Sequence, residues 1–553
     1  LFGVTYEDAL HMLMIALAAF ELLRRVDRPW HWSTSLLLLM LALQSVAKFT
    51  NLMLALLAVA PVSGLALWRH RRGTALRLLA WYGGGFLLGW ILCGQNPLNL
   101  PAYFSNSWYV SQGYQEVMGI ATPAAPLWKA LVILAVLGGY LGLNLFTQKD
   151  RSRSVAATVI LGAFIHLNWK HGFVRSDGHM VGFFYCALLP ITAFPVLLDE
   201  AGPFLRLKRW ALVAAGVLCV LGIRDTIPVL VDSAHVILRN RIQGNFDRAW
   251  HLAGLRADYD MLLARELDLY GLPRTRLVVG HRSLDVFGHD QASAIYNKFN
   301  YRPRPVFQSY SAYTPELAKL NADFYLSDRA PEFVLLRISS IDGRLPAMDD
   351  SAVLYLFTQR YKFILNEKFF QLWQKTGAPV DPAEPPRLLE RRTLLVGQPW
   401  SLAAHNQHPL WAQIDLRPSL LGRLRTFFYK PPVLQLAIQD VHNLTRTYRM
   451  PAPIGRAGFI INPIIEDLTA FTYFSINKPE RSTKQISLVL APEDRKYFAD
   501  TAQVELSRLN TSTAAQEFFN PMNREHFFMF DVVPVSFESA NLPTNEKIEG
   551  VDV

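Results

Sequence analysis

The chain has 553 residues, of which 51% are hydrophobic, and a formal net charge of +10. Its three cysteines, Cys93, Cys186 and Cys219, all lie in long apolar segments, which excludes a disulfide-stabilised domain in the more polar remainder. The basic residues are concentrated in short clusters between the apolar segments. That pattern indicates membrane topology and lipid contact, and it argues against a nucleic-acid partner.

Residues 1–231 predict a transmembrane helical domain. A helix needs about 20 mostly apolar residues to cross about 30 Å of hydrocarbon. We therefore expect a membrane α-helical bundle with about eight visible transmembrane helices: 8–23, 33–48, 50–68, 76–94, 126–147, 155–170, 180–198 and 209–230. The stretch 33–67 is too long for one span and is divided at Lys48, with a re-entrant pair as the alternative.

Four basic clusters, around Arg25, Arg71, Arg151 and Lys208, then fall on one side of the membrane. Because positive residues favour cytoplasmic loops, we expect the second half of the chain to be external. For a bacterial protein this means a multi-pass inner-membrane location with a periplasmic C-terminal domain. The chain begins with Leu1 in place of an initiator Met, so we also expect an N-terminal truncation that removes earlier spans.

Residues 232–390 predict a soluble, external α/β unit that begins with a helical segment, 232–270. The segments 276–280, 305–308 and 333–338 have the composition of strands, and 291–298 and 315–325 have helical patterns. Thr314 is the expected N-cap of the second helix, with Pro315 in its first turn. Alternating strands and helices favour a parallel sheet, and the absence of a glycine-rich phosphate-binding motif argues against a nucleotide site.

Residues 391–509 predict a β-rich, sandwich-like domain. Short candidate strands are separated by Pro, Gly, Asn and Asp: 393–396, 411–416, 433–439, 445–450, 459–461, 470–476 and 486–490. Sandwiches of this kind often hold carbohydrate, although the fold also serves many other roles. The polar remainder, 510–553, predicts an irregular tail.

The densest polar cluster of the first half follows the sixth predicted span. Lys170, Arg175, Asp177 and His179 lie between two apolar runs and are expected at the outer membrane surface. Arginine and lysine bind phosphate, whereas aspartate and histidine act as acids or bases. We predict lipid-phosphate binding by Lys170 and Arg175 and catalysis by Asp177 and His179. The alternative is an interfacial loop whose side chains anchor the helix ends.

Three more charged residues fall at predicted helix ends. Lys48 could bind the same lipid phosphate or snorkel to the interface. Glu7 and Asp8 form an acidic pair before the first span, suited to a catalytic base or a metal ligand, with a favourable helix N-terminus as the alternative. The sequence contains no metal-binding motif, so the cofactor is unknown and a divalent cation stays an open alternative.

The outer loop 95–125 is rich in amide and aromatic side chains. Such side chains bind sugars through hydrogen bonds and stacking, although an amphipathic helix on the membrane surface has the same composition. We predict substrate contacts by Tyr103, Asn106, Trp108, Tyr109, Tyr114 and Glu116. Arg302 and Arg304, in a segment rich in Tyr and Pro, are further predicted substrate-binding residues; a rigid structural loop is the alternative.

A many-spanning helical half, short basic loops, polar outer loops and a large external domain together resemble the GT-C class of membrane glycosyltransferases. The resemblance covers the layout of the chain and includes no family signature. Segments 173–179 (FVRSDGH) and 301–315 are also similar to uncharacterised bacterial multi-span membrane proteins. In the GT-C class the acidic residue that serves as catalytic base usually lies in the first outer loop. We expect that loop to precede Leu1, so Glu7 and Asp8 only take its place in this prediction.

The resemblance implies transfer of a sugar from a polyprenyl-phosphate donor to an envelope glycan, lipid or protein acceptor on the outer face, with membrane lipids as further partners. A second enzymatic hypothesis is a polymerase or ligase of lipid-linked glycans that uses Arg175 and His179. The non-enzymatic hypothesis is a glycan-binding transporter or envelope scaffold. Largely uncharged span interiors and the lack of an internal repeat disfavour transport.

Overall fold

The computed structural model describes residues 7–197, 205–228, 234–376, 386–479 and 481–510. Within these ranges, a bundle of long helices precedes a C-terminal domain, residues 273–510, that contains three β-sheets. The bundle consists of α1 (Glu7–Arg25), α2 (Trp32–Ala47), α3 (Phe49–Trp68), α4 (Arg72–Leu92), α5 (Leu100–Met118), α6 (Ala124–Thr147), α7 (Arg151–Val174), α8 (His179–Leu197) and α9 (Leu205–Thr226).

Among the residues that the structure describes, three bundle helices are long and apolar enough to cross a membrane. They are α3, α4 and α6, with mean hydropathies of 1.8, 1.4 and 2.0. The helix α2 and the segment His179–Thr192 of α8 are apolar but shorter. The prediction of a membrane-embedded helical half is therefore supported, whereas the expected number of about eight spans is not reached by this criterion. Basic residues at the ends of α7 and α9 lower the hydropathy of those helices.

The helix break predicted at Lys48 is present. The helix α2 ends at Ala47, α3 begins at Phe49, and Lys48 between them has an extended backbone with φ −156° and ψ 140°. The two helices pack against each other as a hairpin. A charged residue in a long apolar run was thus a correct signal for a turn.

Basic side chains from the four clusters lie at one end of the bundle, which we call the basic end. Arg69 forms ion pairs with Asp27 and Asp150, and Arg153 also pairs with Asp27, at 2.9 Å. Lys208 at the start of α9 lies 3.3 Å from Asn144 near the end of α6. The predicted grouping of the clusters on one side is confirmed by these contacts. Which side of the membrane the basic end faces stays a prediction.

Two helices, α10 (Ala234–Trp250) and α11 (Leu252–Tyr270), join the bundle to the C-terminal domain and agree with the helical pattern predicted there. The α/β unit follows, with strand order β2-β1-β3-β5-β4. Strand β1 is parallel to β2 and β3, whereas β3, β5 and β4 pair antiparallel, so the predicted parallel sheet holds for three strands. The elements are α12 (Pro273–Val279), β1 (Ser283–Phe287), α13 (Ala292–Tyr296), β2 (Asn300–Tyr301), α14 (Pro315–Leu326), β3 (Phe333–Leu336), α15 (Ser351–Arg360), β4 (Tyr361–Glu367) and β5 (Phe370–Lys375).

Some local predictions in this unit were wrong. Segment 276–279 belongs to helix α12, and Gly280 is its C-cap. The Glu367 carboxylate caps the N-terminus of this helix, because it accepts hydrogen bonds from the backbone N–H groups of Arg274 (2.9 Å) and Thr275 (2.7 Å). The strand follows in β1, and segment 305–308 is not a strand. The helix predicted after Thr314 is confirmed, with the Thr314 hydroxyl accepting from the N–H of Leu317 at 3.3 Å.

The β-rich part forms two antiparallel four-stranded sheets, in the orders β10-β9-β12-β7 and β11-β8-β13-β6. Segment 470–476, predicted as a strand, is a helix whose N-terminus is capped by the Asp467 carboxylate, which accepts from the N–H of Ala470 at 2.8 Å. The elements are β6 (Arg387–Leu395), β7 (Trp400–Ser401), β8 (Leu410–Asp415), α16 (Leu420–Phe428), β9 (Gln435–Asp440), β10 (Thr445–Arg449), α17 (Ala452–Ala457), β11 (Phe459–Asn462), α18 (Leu468–Ser475), β12 (Thr483–Val489) and β13 (Thr501–Arg508). The tail predicted from 510 lies, beyond its first residue, outside the described residues.

One hydrophobic core joins the α/β unit to the two antiparallel sheets, with Leu336, Ile414 and Leu436 among its fully buried members. The predicted boundary between 390 and 391 falls inside β6, and the sheets before and after it share this core. Val117 and Met118, at the end of α5, belong to the same core. The helix α5 thus ties the bundle to the C-terminal domain by apolar burial.

Candidate functional site

The end of the bundle opposite the basic end meets the C-terminal domain in a polar region, which we call the junction. The bundle contributes the loop between α7 and α8. The C-terminal domain contributes the loop after β3, the end of β10, and Lys430, which follows Tyr429 at the end of α16. The junction consists of Arg175, Asp177, His179, Asp342, Arg344, Lys430 and Arg449.

Arg175 links the two halves of the molecule. Its Nε donates to Asp177 Oδ2 at 2.9 Å, within the same loop, and its Nη1 donates to Asp342 Oδ2 at 3.0 Å, across the junction. Both carboxylates compensate the guanidinium charge. Arg175 therefore positions the α7–α8 loop against the C-terminal domain.

Asp177 and His179 form a carboxylate–imidazole pair. Asp177 Oδ1 contacts His179 Nδ1 and accepts from the backbone N–H of His179 at 3.1 Å. Burial alone would raise the pKa of Asp177, but the hydrogen bonds from His179 and the charges of His179 and Arg175 outweigh it and hold the pKa at about 2. The carboxylate is therefore ionised and fixes the imidazole through Nδ1, which leaves Nε2 for proton transfer.

Two arginines of the C-terminal domain carry unsatisfied donors at the junction. Arg344 is 3% exposed, and its Nη1 donates to the Tyr310 carbonyl at 3.2 Å and lies 3.0 Å from Asp349 Oδ1. Arg449 Nη2 donates to the Glu116 carbonyl at 2.7 Å, while its Nη1 lies 3.8 Å from Asp342 Oδ2. Within the described ranges, Arg344 Nη2 and Arg449 Nη1 are buried and have no hydrogen-bond partner.

The electrostatics of this pair are unfavourable as they stand. The pKa of Arg449 is lowered to about 10, chiefly by burial and secondly by repulsion from Arg344, despite the opposing charge of Asp342. Burial raises the pKa of the Asp349 carboxyl group, and the charge of Arg344 opposes that rise. Buried donors without acceptors cost free energy, so an anion that accepted from both guanidinium groups would be stabilised here.

Lys430 connects the C-terminal domain to the bundle at the junction. It is 7% exposed, and its Nζ donates to the Ile120 carbonyl, to Thr122 Oγ1 at 2.6 Å and to Ser176 Oγ at 2.9 Å. Burial, together with the charges of Arg425 and Arg449, lowers the pKa of Lys430 to about 8. The side chain joins the α5–α6 connection, the α7–α8 loop and the C-terminal domain.

An apolar groove of about 510 Å³ opens beside the junction, between α6, α7 and the end of α16. Trp169 Nε1 donates to the Phe428 carbonyl at 2.6 Å, and Lys170 Nζ donates to the Thr426 carbonyl at 2.6 Å and to the Tyr429 carbonyl. The groove is lined by Leu127, Leu131, Leu134, Gly162, Ile165, His166, Trp169, Phe428 and Tyr429. Its lining suits a hydrocarbon chain.

The predicted site residues of the bundle are only partly brought together. Arg175, Asp177 and His179 meet at the junction, and Lys170 lies beside it, bonded to the C-terminal domain and to Gln115. Lys48 is exposed in the α2–α3 turn and is not part of the junction. Glu7 and Asp8 fall in the first turn of α1, and their side chains lie outside the described part of the structure.

The loop 95–125 is largely helix α5; its placement on a membrane surface and its contact with a substrate both stay predictions. Tyr103 packs against the rings of Trp90, at 4.9 Å between centroids, and Phe49, at 6.1 Å. Tyr109 packs against the core of the C-terminal domain, Trp108 and Tyr114 are exposed, and Asn106 is half-buried.

Glu116 stands out at the end of α5. Its Oε2 is buried and without a hydrogen-bond partner among the described residues, and burial raises its pKa against the opposing charge of Arg456. Its backbone carbonyl is held by Arg449. Glu116 therefore borders the junction, whereas Tyr103 packs within the bundle and Tyr109 packs against the C-terminal domain.

The two predicted arginines of the α/β unit have different surroundings. Arg302 is exposed, whereas the Arg304 side chain is 0% exposed and pairs with Asp285 at 2.8 Å and Asp350 at 3.1 Å. Arg304 also donates to the Val286 carbonyl at 2.9 Å and to Ser309 Oγ at 2.6 Å. Its environment favours the structural alternative over contact with a substrate.

Sequence reasoning missed Asp342, Arg344, Lys430 and Arg449. These residues are isolated in the chain and join the α7–α8 loop only through the fold, so no local motif could have identified them. In the part of the chain that the structure describes, no group of three or more His, Cys, Asp or Glu side chains is arranged to hold a metal ion. No protein-family model, curated protein or solved structure matches the chain. The resemblance to the GT-C class therefore stays a prediction from layout.

Proposed function

We propose that this protein is a membrane glycosyltransferase that transfers a sugar from a polyprenyl-phosphate donor to an envelope acceptor, and that the junction binds the phosphate of the donor. The observation that carries the proposal is the pair of buried guanidinium donors on Arg344 and Arg449 that have no hydrogen-bond acceptor among the residues the structure describes. A phosphate offers several strong acceptor oxygens and a negative charge, and arginine binds it through parallel N–H groups.

The neighbouring groove supports a lipid as the carrier of that phosphate. Phe428 and Tyr429 line the groove, and the next residue, Lys430, belongs to the junction, so an apolar chain in the groove would end near the cationic side chains. Leu127, Leu131 and Leu134 place the groove along the first three turns of α6, one of the helices apolar enough to span a membrane. A lipid tail and its phosphate would thus have adjacent sites of matching chemistry.

In the proposed reaction, His179 Nε2 takes the proton from the acceptor hydroxyl while Asp177 fixes the imidazole through Nδ1. The acceptor oxygen attacks the anomeric carbon, and the bond between that carbon and the phosphate oxygen breaks. Arg344 and Arg449 stabilise the negative charge on the leaving polyprenyl phosphate. A positioned base contributes about 10²–10⁴-fold to such a step.

The membrane arrangement is part of the same proposal. The helices α1, α2, α7, α8 and α9 pack into the bundle with the three apolar spans, and we infer that they also cross the bilayer. The basic end would then face the cytoplasm of a bacterial cell, and the C-terminal domain would be periplasmic.

The test is transfer of radiolabelled sugar from a panel of polyprenyl-phosphate donors by the full-length protein in lipid. We expect His179→Gln to reduce the rate about 10²–10⁴-fold. Arg449→Met is expected to reduce it about 10–100-fold, the loss of one charge-assisted hydrogen bond. Arg417→Met, at a side chain that is exposed and paired only with Asp415 among the described residues, is the matched control and should retain the rate. No transfer from any donor by the folded wild-type protein would overturn the proposal.

A second candidate function, glycan binding without transfer, is favoured by a separate pocket of about 440 Å³ in the C-terminal domain. Trp411 and Tyr355 supply aromatic surface, and Gln413, Arg391 and Glu505 supply hydrogen-bonding groups. Aromatic faces beside amides and charges suit sugar rings. Glycan binding that is lost in Trp411→Ala, together with no transfer by the wild-type protein, would favour this function.

A further inference from the structure

The helix α16 has one face packed on the C-terminal domain and one face that is strongly apolar and exposed. Gly422 faces inward, where an added Cβ would lie 1.9 Å from the Tyr497 carbonyl oxygen. Arg425 faces the same way and pairs with Asp494 at 2.7 Å. The outward face carries five large side chains, each 48–76% exposed: Leu420, Leu421, Leu424, Phe427 and Phe428.

The spacing of these side chains, i, i+1, i+4, i+7 and i+8, describes one stripe along the helix. Isolated exposed apolar side chains are common on soluble proteins, but five on one short helix form a contiguous patch that requires a partner. The sequence of α16, LLGRLRTFF, contains no acidic residue that would oppose contact with a membrane.

The position of α16 identifies the partner. The C-terminal end of α16 contacts the part of α7 nearest the junction. His166 stacks on Phe427 there with ring centroids 5.2 Å apart, and Trp169 Nε1 donates to the Phe428 carbonyl. Phe428 shares a groove with Leu127 and Leu134 of the apolar span α6. Leu134 lies 10 residues after the start of α6, so the groove reaches down to about 15 Å from that end of the span.

We propose that α16 is an interfacial membrane helix, which lies in the leaflet at the junction end of the bundle and buries its apolar stripe among the lipid chains. Amphipathic helices of this kind bury their apolar face about 5–10 Å into the boundary between headgroups and acyl chains. The C-terminal domain is then held to the membrane by lipid as well as by the junction. This inference does not depend on any transferase activity.

The experiment uses the full chain in lipid nanodiscs that hold one protein each. The exposed Cys93 is changed to Ser, and Cys186 and Cys219 are buried. A single cysteine introduced as Leu424→Cys carries a bimane fluorophore. Leu444→Cys is the matched control, because both leucines are 49% exposed in the same domain. Leu444 directly precedes β10, five residues before Arg449 at the other end of that strand, so its backbone lies about 16 Å from that of Arg449.

We expect nitroxide groups on the lipid acyl chains to quench the Leu424→Cys label strongly, and aqueous iodide to quench it several-fold less than the Leu444→Cys label. Equal quenching of both labels by iodide, with no effect of lipid nitroxide, would place α16 in water and overturn the proposal. The same measurement is repeated in discs that hold two or more proteins. Shielding of the Leu424→Cys label that arises only in those discs would assign the stripe to contact between copies and would equally overturn the proposal.

Discussion

Lys430 gives the sharpest test of the energetics of the junction. The residue is 7% exposed, and its ammonium group donates to neutral oxygens of Ile120, Thr122 and Ser176. Burial disfavours the charged form, and the charges of Arg425 and Arg449 add to this, so the pKa falls from 10.5 to about 8.

The sign of the effect on stability follows from that depression. The unfolded chain binds this proton more tightly than the folded chain does, so the group reduces stability below pH about 8, and the loss is recovered as the pH rises toward 10.5. The difference of about 2.5 between the two pKa values, at about 1.4 kcal/mol per pKa unit, corresponds to about 3 kcal/mol.

The measurement compares the free energy of unfolding of the wild-type protein and Lys430→Met in nanodiscs between pH 7 and about 10.5. Taking the difference cancels the contributions of titrating groups that do not interact with Lys430. We expect the wild-type protein to gain up to about 3 kcal/mol relative to Lys430→Met as the pH rises through this window. For Lys478→Met, at an exposed lysine, the free energy of unfolding should change with pH in parallel with that of the wild-type protein. Parallel curves for Lys430→Met as well would refute the reasoning.

Two further substitutions test the packing that supports the junction. Arg304→Met should lower the free energy of unfolding by about 3–5 kcal/mol, because it leaves two carboxylates buried without their partner, whereas Arg302→Met should change it by less than about 0.5 kcal/mol. Equal effects in chemical denaturation would contradict the structural role of Arg304. Gly113→Ala places a Cβ 2.5 Å from the Tyr313 ring and should destabilise the contact of α5 with the C-terminal domain by about 1–3 kcal/mol, despite the better helix propensity of alanine. Gly83→Ala should be neutral or stabilising, because an added Cβ there would meet no heavy atom within 4 Å other than those of the local helix backbone and the two neighbouring residues. The same melting temperature shift in both variants would argue against the close approach at Gly113.

The features that could be predicted from the sequence are those encoded locally. The break at Lys48 follows from the cost of a charge in an apolar run, and the helix after Thr314 follows from its cap and proline. Segments 276–280 and 470–476 were assigned to strands because a short apolar run has no decisive period. In both, capping by a carboxylate favours the helix, and Glu367 supplies the first cap from 92 or more residues away along the chain.

The residues of the candidate site likewise divide into those that the sequence could predict and those that it could not. Arg175, Asp177 and His179 could be predicted because they are neighbours in the chain. Arg344 and Arg449 could not, because only the fold of the C-terminal domain brings them to the α7–α8 loop, and nothing in the sequence distinguishes them from Arg304, which is fully buried with its carboxylates. Burial of a charged side chain is a property of the tertiary structure.

The central claim is that the junction binds the phosphate of a membrane lipid, and the most direct measurement is affinity. The dissociation constants of a polyprenyl phosphate and of the matching polyprenol would be measured with the full-length protein in nanodiscs. We expect the wild-type protein to bind the phosphate at least about 10-fold more tightly than the alcohol, and Arg449→Met to lose most of that difference while its affinity for the alcohol is unchanged. Equal affinity of the wild-type protein for the two lipids would contradict the claim.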